Sequence, residues 1–170
     1  GVGKTTIARL VYERISHKYE VSCFLANVRQ QSAAHGIVHL QKQLISLVLE
    51  ERVAQVCDAY GGAAMAKNLL CNKKVLLVLD DVDRLDQLEK LAGRPDWFHS
   101  GSRVIITTRD KHLLIAYQVN QIYKARKLDH HEACELFLEN ALMTNRNMGN
   151  DERLAVNTIV EYAQGLPLAL

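Results

Sequence analysis

At residues 73–81 the chain reads KKVLLVLDD, five apolar residues in a row between two lysines and two aspartates. A strand with one wet face alternates apolar and polar residues. An unbroken run suits a strand buried on both faces, as in a parallel sheet covered by helices. A second run, VIITT at 104–108, is β-branched throughout and follows the turn pair Gly101-Ser102. The stretch VSCFLANV at 21–28 predicts a further strand, and residues 121–125 a weak one.

Helical spacings fill the intervals. Residues 5–18 carry Ile7, Ala8, Leu10, Val11 and Ile15, and residues 39–51 carry Leu40, Leu44, Ile45, Leu47 and Val48. Residues 63–70 read as helix after a break at Gly61-Gly62. Residues 128–142 place Ala133, Leu136, Phe137 and Ala141 on one side, with Asp129 as cap and Glu132 three residues on. A last helix over 151–164 stops at Gly165, and Pro167 is placed to open another. Strands alternating with helices predict an α/β fold with a mainly parallel sheet flanked by helices.

Composition narrows the function classes. With 170 residues, 48% of them apolar, the chain suffices for one ordinary soluble domain. A net charge of +2 without any polybasic run argues against nucleic acid or an acidic membrane as partner. No apolar stretch approaches the ~20 residues of a membrane span. No initiating Met or signal-peptide pattern opens the chain. Cys23, Cys57, Cys71 and Cys134 form no CxxC pair, which points to reduced cysteines in a cytosolic protein. Cys23 and Cys134 lie within apolar patterns and read as small buried hydrophobes.

Three short motifs carry chemistry. GVGKTT at 1–6 contains the GK-T portion of the phosphate loop GxxxxGK[ST]. Gly1 and Gly3 let backbone N–H groups approach an anion closely, with Val2 between them as a further nucleotide-binding residue of the loop, and a helix starting near Thr5 aims its N-terminus at it. Lys4 supplies a mobile charge for β- and γ-phosphates, the Thr5 hydroxyl suits Mg²⁺, and Thr6 lies toward an α-phosphate. Alone, the hexapeptide is also what a glycine turn ahead of an ordinary helix looks like. Asp80 and Asp81 sit at the carboxyl end of the buried run, where such a fold needs a carboxylate. Asp80 would hold Mg²⁺, and Asp81 would orient or deprotonate an attacking water. The bland alternative is two aspartates capping the next turn. Arg109, just past the strand ending in TTRD, is placed to sense a γ-phosphate; otherwise it is a surface residue pairing Asp110 or Asp129.

The remaining candidates are weaker. His35 and His39 are four apart, with Gly36 between them and no carboxylate partner near; they and the pair His130-His131 read as solvated helix-end histidines rather than metal ligands. Trp97-Phe98 after Pro95 reads as a hydrophobic anchor for its loop. No Ser-His-Asp or Cys-His arrangement has supporting context.

These motifs in this order resemble the NB-ARC nucleotide-binding domain of plant disease-resistance proteins, the NLR immune receptors. GVGKTT is similar to the end of the family's phosphate loop, KKVLLVLDDVD to its Walker B motif, and GSRVIITTRD to its RNBS-B motif. YKARKLDHHEACELF is similar to RNBS-C, with Cys134 where a larger aliphatic residue is usual, and GLPLAL at 165–170 to the GLPL motif. SCFLANVR at 22–29, and Asp83 where the coiled-coil subclass has Trp, resemble the subclass with an N-terminal TIR domain.

The resemblance implies a P-loop NTPase of the STAND class. Residues 1–126 would be the nucleotide-binding subdomain and 127–170 the start of the helical ARC1 subdomain. It implies a fragment of a TIR-NBS-LRR receptor of a dicot plant, bounded by motifs at both ends. The strand feeding the phosphate loop and the downstream MHD motif would lie outside it. That absence would open a gap inside the sheet and leave the isolated 170 residues marginally stable.

Functionally it implies a cytoplasmic or nucleocytoplasmic switch: ADP holds the resting receptor, and exchange for ATP accompanies homo-oligomerisation in defence signalling. Partners would be adenine nucleotide and the receptor's own TIR and LRR domains, with no nucleic acid and no membrane. Cofactors would be ADP or ATP with Mg²⁺, and catalysis at most a slow ATPase. By the resemblance, Lys4 and Thr5 serve phosphates and Mg²⁺, Asp80 is the Walker B acid, Asp81 its catalytic neighbour, Arg109 the sensor, and Pro167 packs by the adenine. Two other readings stay open. A degenerate interaction scaffold is opposed by the intact Lys4, Thr5, Asp80 and Arg109. A metabolic kinase lacks any visible acceptor site.

Overall fold

The run at 75–79 forms the middle of the sheet. In the computed structural model, which describes residues 1–49, 55–141 and 149–169, β1 (Val21–Leu25), β2 (Val75–Val82) and β3 (Arg103–Thr108) pair in that order, all parallel. Val21 lies opposite Val75, and Leu76 opposite Arg103. The three strands are direct neighbours, so the expected gap does not fall among them. The described residues form two compact units: Thr5–Ile122, and Gly1–Lys4 together with Tyr123–Leu170.

Every residue from Val75 to Leu79 is fully buried, as an unbroken apolar run requires. Period-two alternation sorts them. Val75, Leu77 and Leu79 join Cys23 and Leu25 in the main core. That core is filled by α2 (Val28–His35), α3 (Ile37–Leu49), α4 (Ala59–Leu70) and α5 (Leu85–Leu91). Leu76, Val78 and Asp80 point the other way. On that side α1 (Lys4–Ile15) sets Tyr12 edge-on to Phe24 at 5.6 Å and Arg9 over the same ring at 4.8 Å. Helices therefore cover both faces of β2, which confirms the α/β reading. Trp97 and Phe98 pack against the main core, as an anchor would. Cys23 is buried, and burial pushes its thiol up to about 12.

Several elements differ from expectation. The first strand ends at Leu25, not residue 28, because Asn27 adopts φ 51° and turns the chain into α2. The helix expected over 63–70 begins at Ala59 and runs through Gly61-Gly62. Asp58 accepts from the N–H groups of Tyr60 and Gly61 at 2.8 and 2.9 Å, capping the turn that holds the glycines. Those N–H bonds, Gly61 first, hold the Asp58 carboxyl below its ordinary range. Gly62 is also a close-packing position: a Cβ there would overlap the amide of Gln41 in α3. Residues 121–125 form no strand; most are exposed and none pairs with the sheet. The helix read over 39–51 is described as far as Leu49, its last two residues lying outside the described ones. The short helices α2, α5 and α6 (Lys111–Ala116) were not legible as periodic patterns.

In the second unit, α7 (His130–Asn140) starts where Asp129 and Glu132 cap it reciprocally, each bond 2.9 Å long. Leu142, read as its end, lies outside the described residues. Ala133 of α7 meets Val156 and Val160 of α8 (Asn150–Ala163), with Cys134, Phe137 and Leu138 half-buried beside them. Leu136 is half-buried without joining that cluster, and Ala141, past the helix end, is exposed. Cys134 thus packs as a hydrophobe without being fully buried. A short 3₁₀ turn, Pro167–Ala169, follows α8, as Pro167 suggested.

Between α8 and that turn stands Gly165, at φ 69°, its carbonyl accepting from Leu128 N–H at 2.9 Å. A Cβ there would run into the Leu128 carbonyl oxygen, which is backbone and cannot swing aside. Gly165→Ala is expected to destabilise this unit by about 2 kcal/mol, from the left-handed backbone and the enforced separation together. A urea titration of the full chain checks it through a lowered midpoint; an unchanged one contradicts it.

Candidate functional site

Strand parity delivers Asp80 to the side of the sheet covered by α1, whose second residue is Thr5. The Thr5 hydroxyl lies 2.9 and 3.1 Å from the two Asp80 carboxylate oxygens and donates between them. Asp80 is fully buried. From β3, the Thr107 hydroxyl donates to Asp80 Oδ1 at 2.6 Å. Among the described residues, no cationic side chain pairs with Asp80. A buried carboxylate that receives only neutral hydroxyls leaves its charge uncompensated. Together with Thr5 it is an oxygen donor set of the kind hard divalent cations take.

Asp81 departs from the alternation, which would aim it into the main core, because the strand bulges. Leu79 pairs with Ile106, and the next pairing is Val82 with Thr108, so Asp80 and Asp81 together oppose Thr107. Asp81 sits at φ 53°, a conformation aspartate tolerates better than most residues. Its N–H donates to Thr107 Oγ1 at 2.9 Å. One threonine therefore pins both aspartates: it accepts from the backbone of Asp81 and donates to the side chain of Asp80.

The bulge turns Asp81 toward two arginines. Arg29 Nη2 lies 3.0 Å from Oδ2, and Arg109 Nε lies 3.3 Å from Oδ1. Arg109 is 71% exposed and Arg29 44%, so both guanidinium groups reach solvent. Arg109 is paired, though with Asp81 rather than with Asp110 or Asp129. Arg29 and Thr107 were not singled out from the sequence. The one signal for Arg29 was Asn27, which ends a strand two residues earlier and so starts a helix at the same sheet edge.

In the other unit, Gly3 has φ 78°, which glycine alone adopts freely, and a Cβ built there would lie 3.9 Å from Pro167 Cγ. A Cβ on Gly1 would lie 4.0 Å from Leu168 Cδ2. The glycine loop and the Pro167 turn are thus neighbours. Val2 and Lys4 are half-buried, and Thr6 is exposed. Among the described residues Lys4 enters no ion pair, no cluster of three or more His, Cys, Asp or Glu gathers as a metal site, and no helix is long and apolar enough to cross a membrane. The His35 and His39 rings lie 5.0 Å apart.

Comparison with known proteins follows the same residues. A family description, the NB-ARC domain, matches residues 1–147. The whole chain is 44% identical to "Disease resistance protein RPV1" and 43% identical to "Disease resistance protein RUN1", both of Vitis rotundifolia. It is 42% identical to "TMV resistance protein N" of Nicotiana glutinosa. The chain spans only 12%, 13% and 15% of these relatives' lengths.

Proposed function

The chain belongs to the NB-ARC domain family, of P-loop NTPase fold, and on that premise we propose that it is the adenine-nucleotide switch module of a plant disease-resistance receptor. The observation that carries this reading is the buried Asp80 held between the hydroxyls of Thr5 and Thr107, with two arginines at its rim. A carboxylate and hydroxyl to take a cation, beside guanidinium groups to take oxyanions, match a metal-bound polyphosphate and little else.

Thr5 and Asp80 would hold Mg²⁺, which when bound offsets charge on the phosphate oxygens. Lys4, free of carboxylates among the described residues, pairs with phosphate from the glycine loop. Gly1, Val2 and Gly3 contribute backbone N–H groups, and Thr6 lies on the α-phosphate side. Pro167, next to Gly3, covers the base. Arg109 leaves Asp81 for a terminal phosphate. Asp81 would then be the group that orients water or takes its proton, at most slowly.

ADP in the resting state, exchange for ATP on activation, homo-oligomerisation, TIR and leucine-rich partner domains and a cytoplasmic location belong to the same proposal. The names of the relatives support the defence role. Calorimetric titration of ADP and ATP into the full-length receptor that carries this domain tests the reading. Saturable binding of adenine nucleotides, strengthened by Mg²⁺ for ATP, is expected; no binding of either would overturn it.

A further inference from the structure

Two arginines compete for one carboxylate at the rim of the site, and only Arg109 has a role in the reading above. Arg109 touches Asp81 through Nε alone, which leaves both of its terminal nitrogens able to donate outward. Arg29 takes the other oxygen through a terminal nitrogen, at the shorter distance. The Asp81 carboxylate is the less mobile partner: its side chain is 20% exposed, its N–H is tied to Thr107, and its backbone is fixed in a bulge. Arg29 is placed by the tight turn at Asn27, as the second residue of α2.

From this arrangement we infer that Arg29 is a positioning residue for nucleotide discrimination: it neutralises Asp81 and so releases Arg109 to a third phosphate. The inference rests on the nucleotide reading and adds a residue to it. The charges decide the direction. With Arg29 present, Arg109 can leave and Asp81 remains paired. With Arg29 gone, departure of Arg109 strands an unpaired carboxylate next to the incoming anion. That carboxylate both retains Arg109 and repels the phosphate. A diphosphate asks nothing of Arg109, so the penalty falls on ATP.

The experiment measures ADP and ATP dissociation constants for the full-length receptor that carries this domain and for its Arg29→Gln, Arg29→Lys and Arg29→Gln/Asp81→Asn variants, each checked by thermal melting. Arg29→Gln is expected to lower the preference for ATP relative to ADP about tenfold, the scale of one partly exposed charge-assisted bond. Arg29→Lys keeps the charge and recovers part of the preference. Adding Asp81→Asn to Arg29→Gln removes the retaining carboxylate and restores it. A merely structural arginine would weaken both nucleotides alike and gain nothing from Asp81→Asn; that result, or no shift at all, overturns the inference and leaves the nucleotide reading standing. If the unsubstituted chain binds neither nucleotide, both fall together.

Discussion

Lys4→Ala is expected to weaken ADP and ATP binding about a hundredfold, the largest single loss anticipated for this domain. A mobile ammonium facing two phosphates makes charge-assisted bonds worth about 1.5–3 kcal/mol each, and about 2.7 kcal/mol is a hundredfold in affinity. The substitution is clean for a physical reason. Among the described residues Lys4 enters no ion pair, so its removal strands no buried partner. Thermal stability without nucleotide should therefore stay within about 0.5 kcal/mol of the parent. Titration with both nucleotides reads the affinity, and a melt with and without ADP reads the linkage. The parent is stabilised by saturating ligand and the variant far less. Undiminished binding in the variant would remove the phosphate-loop role and favour a scaffold without turnover.

What the sequence disclosed and what it withheld divide along physical lines. The burial of β2 on both faces was legible because an apolar run without alternation has few other homes. The placement of Asp80 was legible too, since strand parity needs only counting. The destination of Asp81 was not. Alternation alone would send Asp81 to the core face opposite Asp80; a bulge inserts one residue without changing composition, so nothing in the letters LDDV says that Val82 takes that place and Asp81 turns to the rim. The arginine partners were hidden for the same reason, because both depend on where that carboxylate turns. Helices α2, α5 and α6, of eight, seven and six residues, span about two turns or fewer, well short of the window over which a 3.6 period stands out. Gly61-Gly62 read as a break because propensity was weighed without its context. The Asp58 cap and the contact of Gly62 with Gln41 outweigh a loss of about 1 kcal/mol per glycine.

The two substitutions Asp80→Ala and Asp80→Asn should separate what holds this domain together from what it binds. Alanine removes the acceptor of two hydroxyls. Thr5 is exposed and can turn to water, but Thr107 is buried, and its hydroxyl loses its acceptor while still receiving the Asp81 N–H. Asp80→Ala is therefore expected to cost about 2–3 kcal/mol of stability, from the stranded hydroxyl and the void left in a packed layer. Asparagine keeps the volume and one carbonyl-type acceptor, so Thr107 keeps its bond. It also removes a buried charge that the described side chains leave uncompensated, and should melt within about 1 kcal/mol of the parent or above it. Function runs the other way: both variants lose the negative donor that a divalent cation requires, so the gain in ATP affinity on adding Mg²⁺ should disappear in both. Urea unfolding and nucleotide titration with and without Mg²⁺, on the same three proteins, read the two effects independently. An asparagine variant that keeps its Mg²⁺ dependence would place the cation elsewhere. One that unfolds as readily as the alanine variant would make the charge of Asp80, rather than its shape, the structural element.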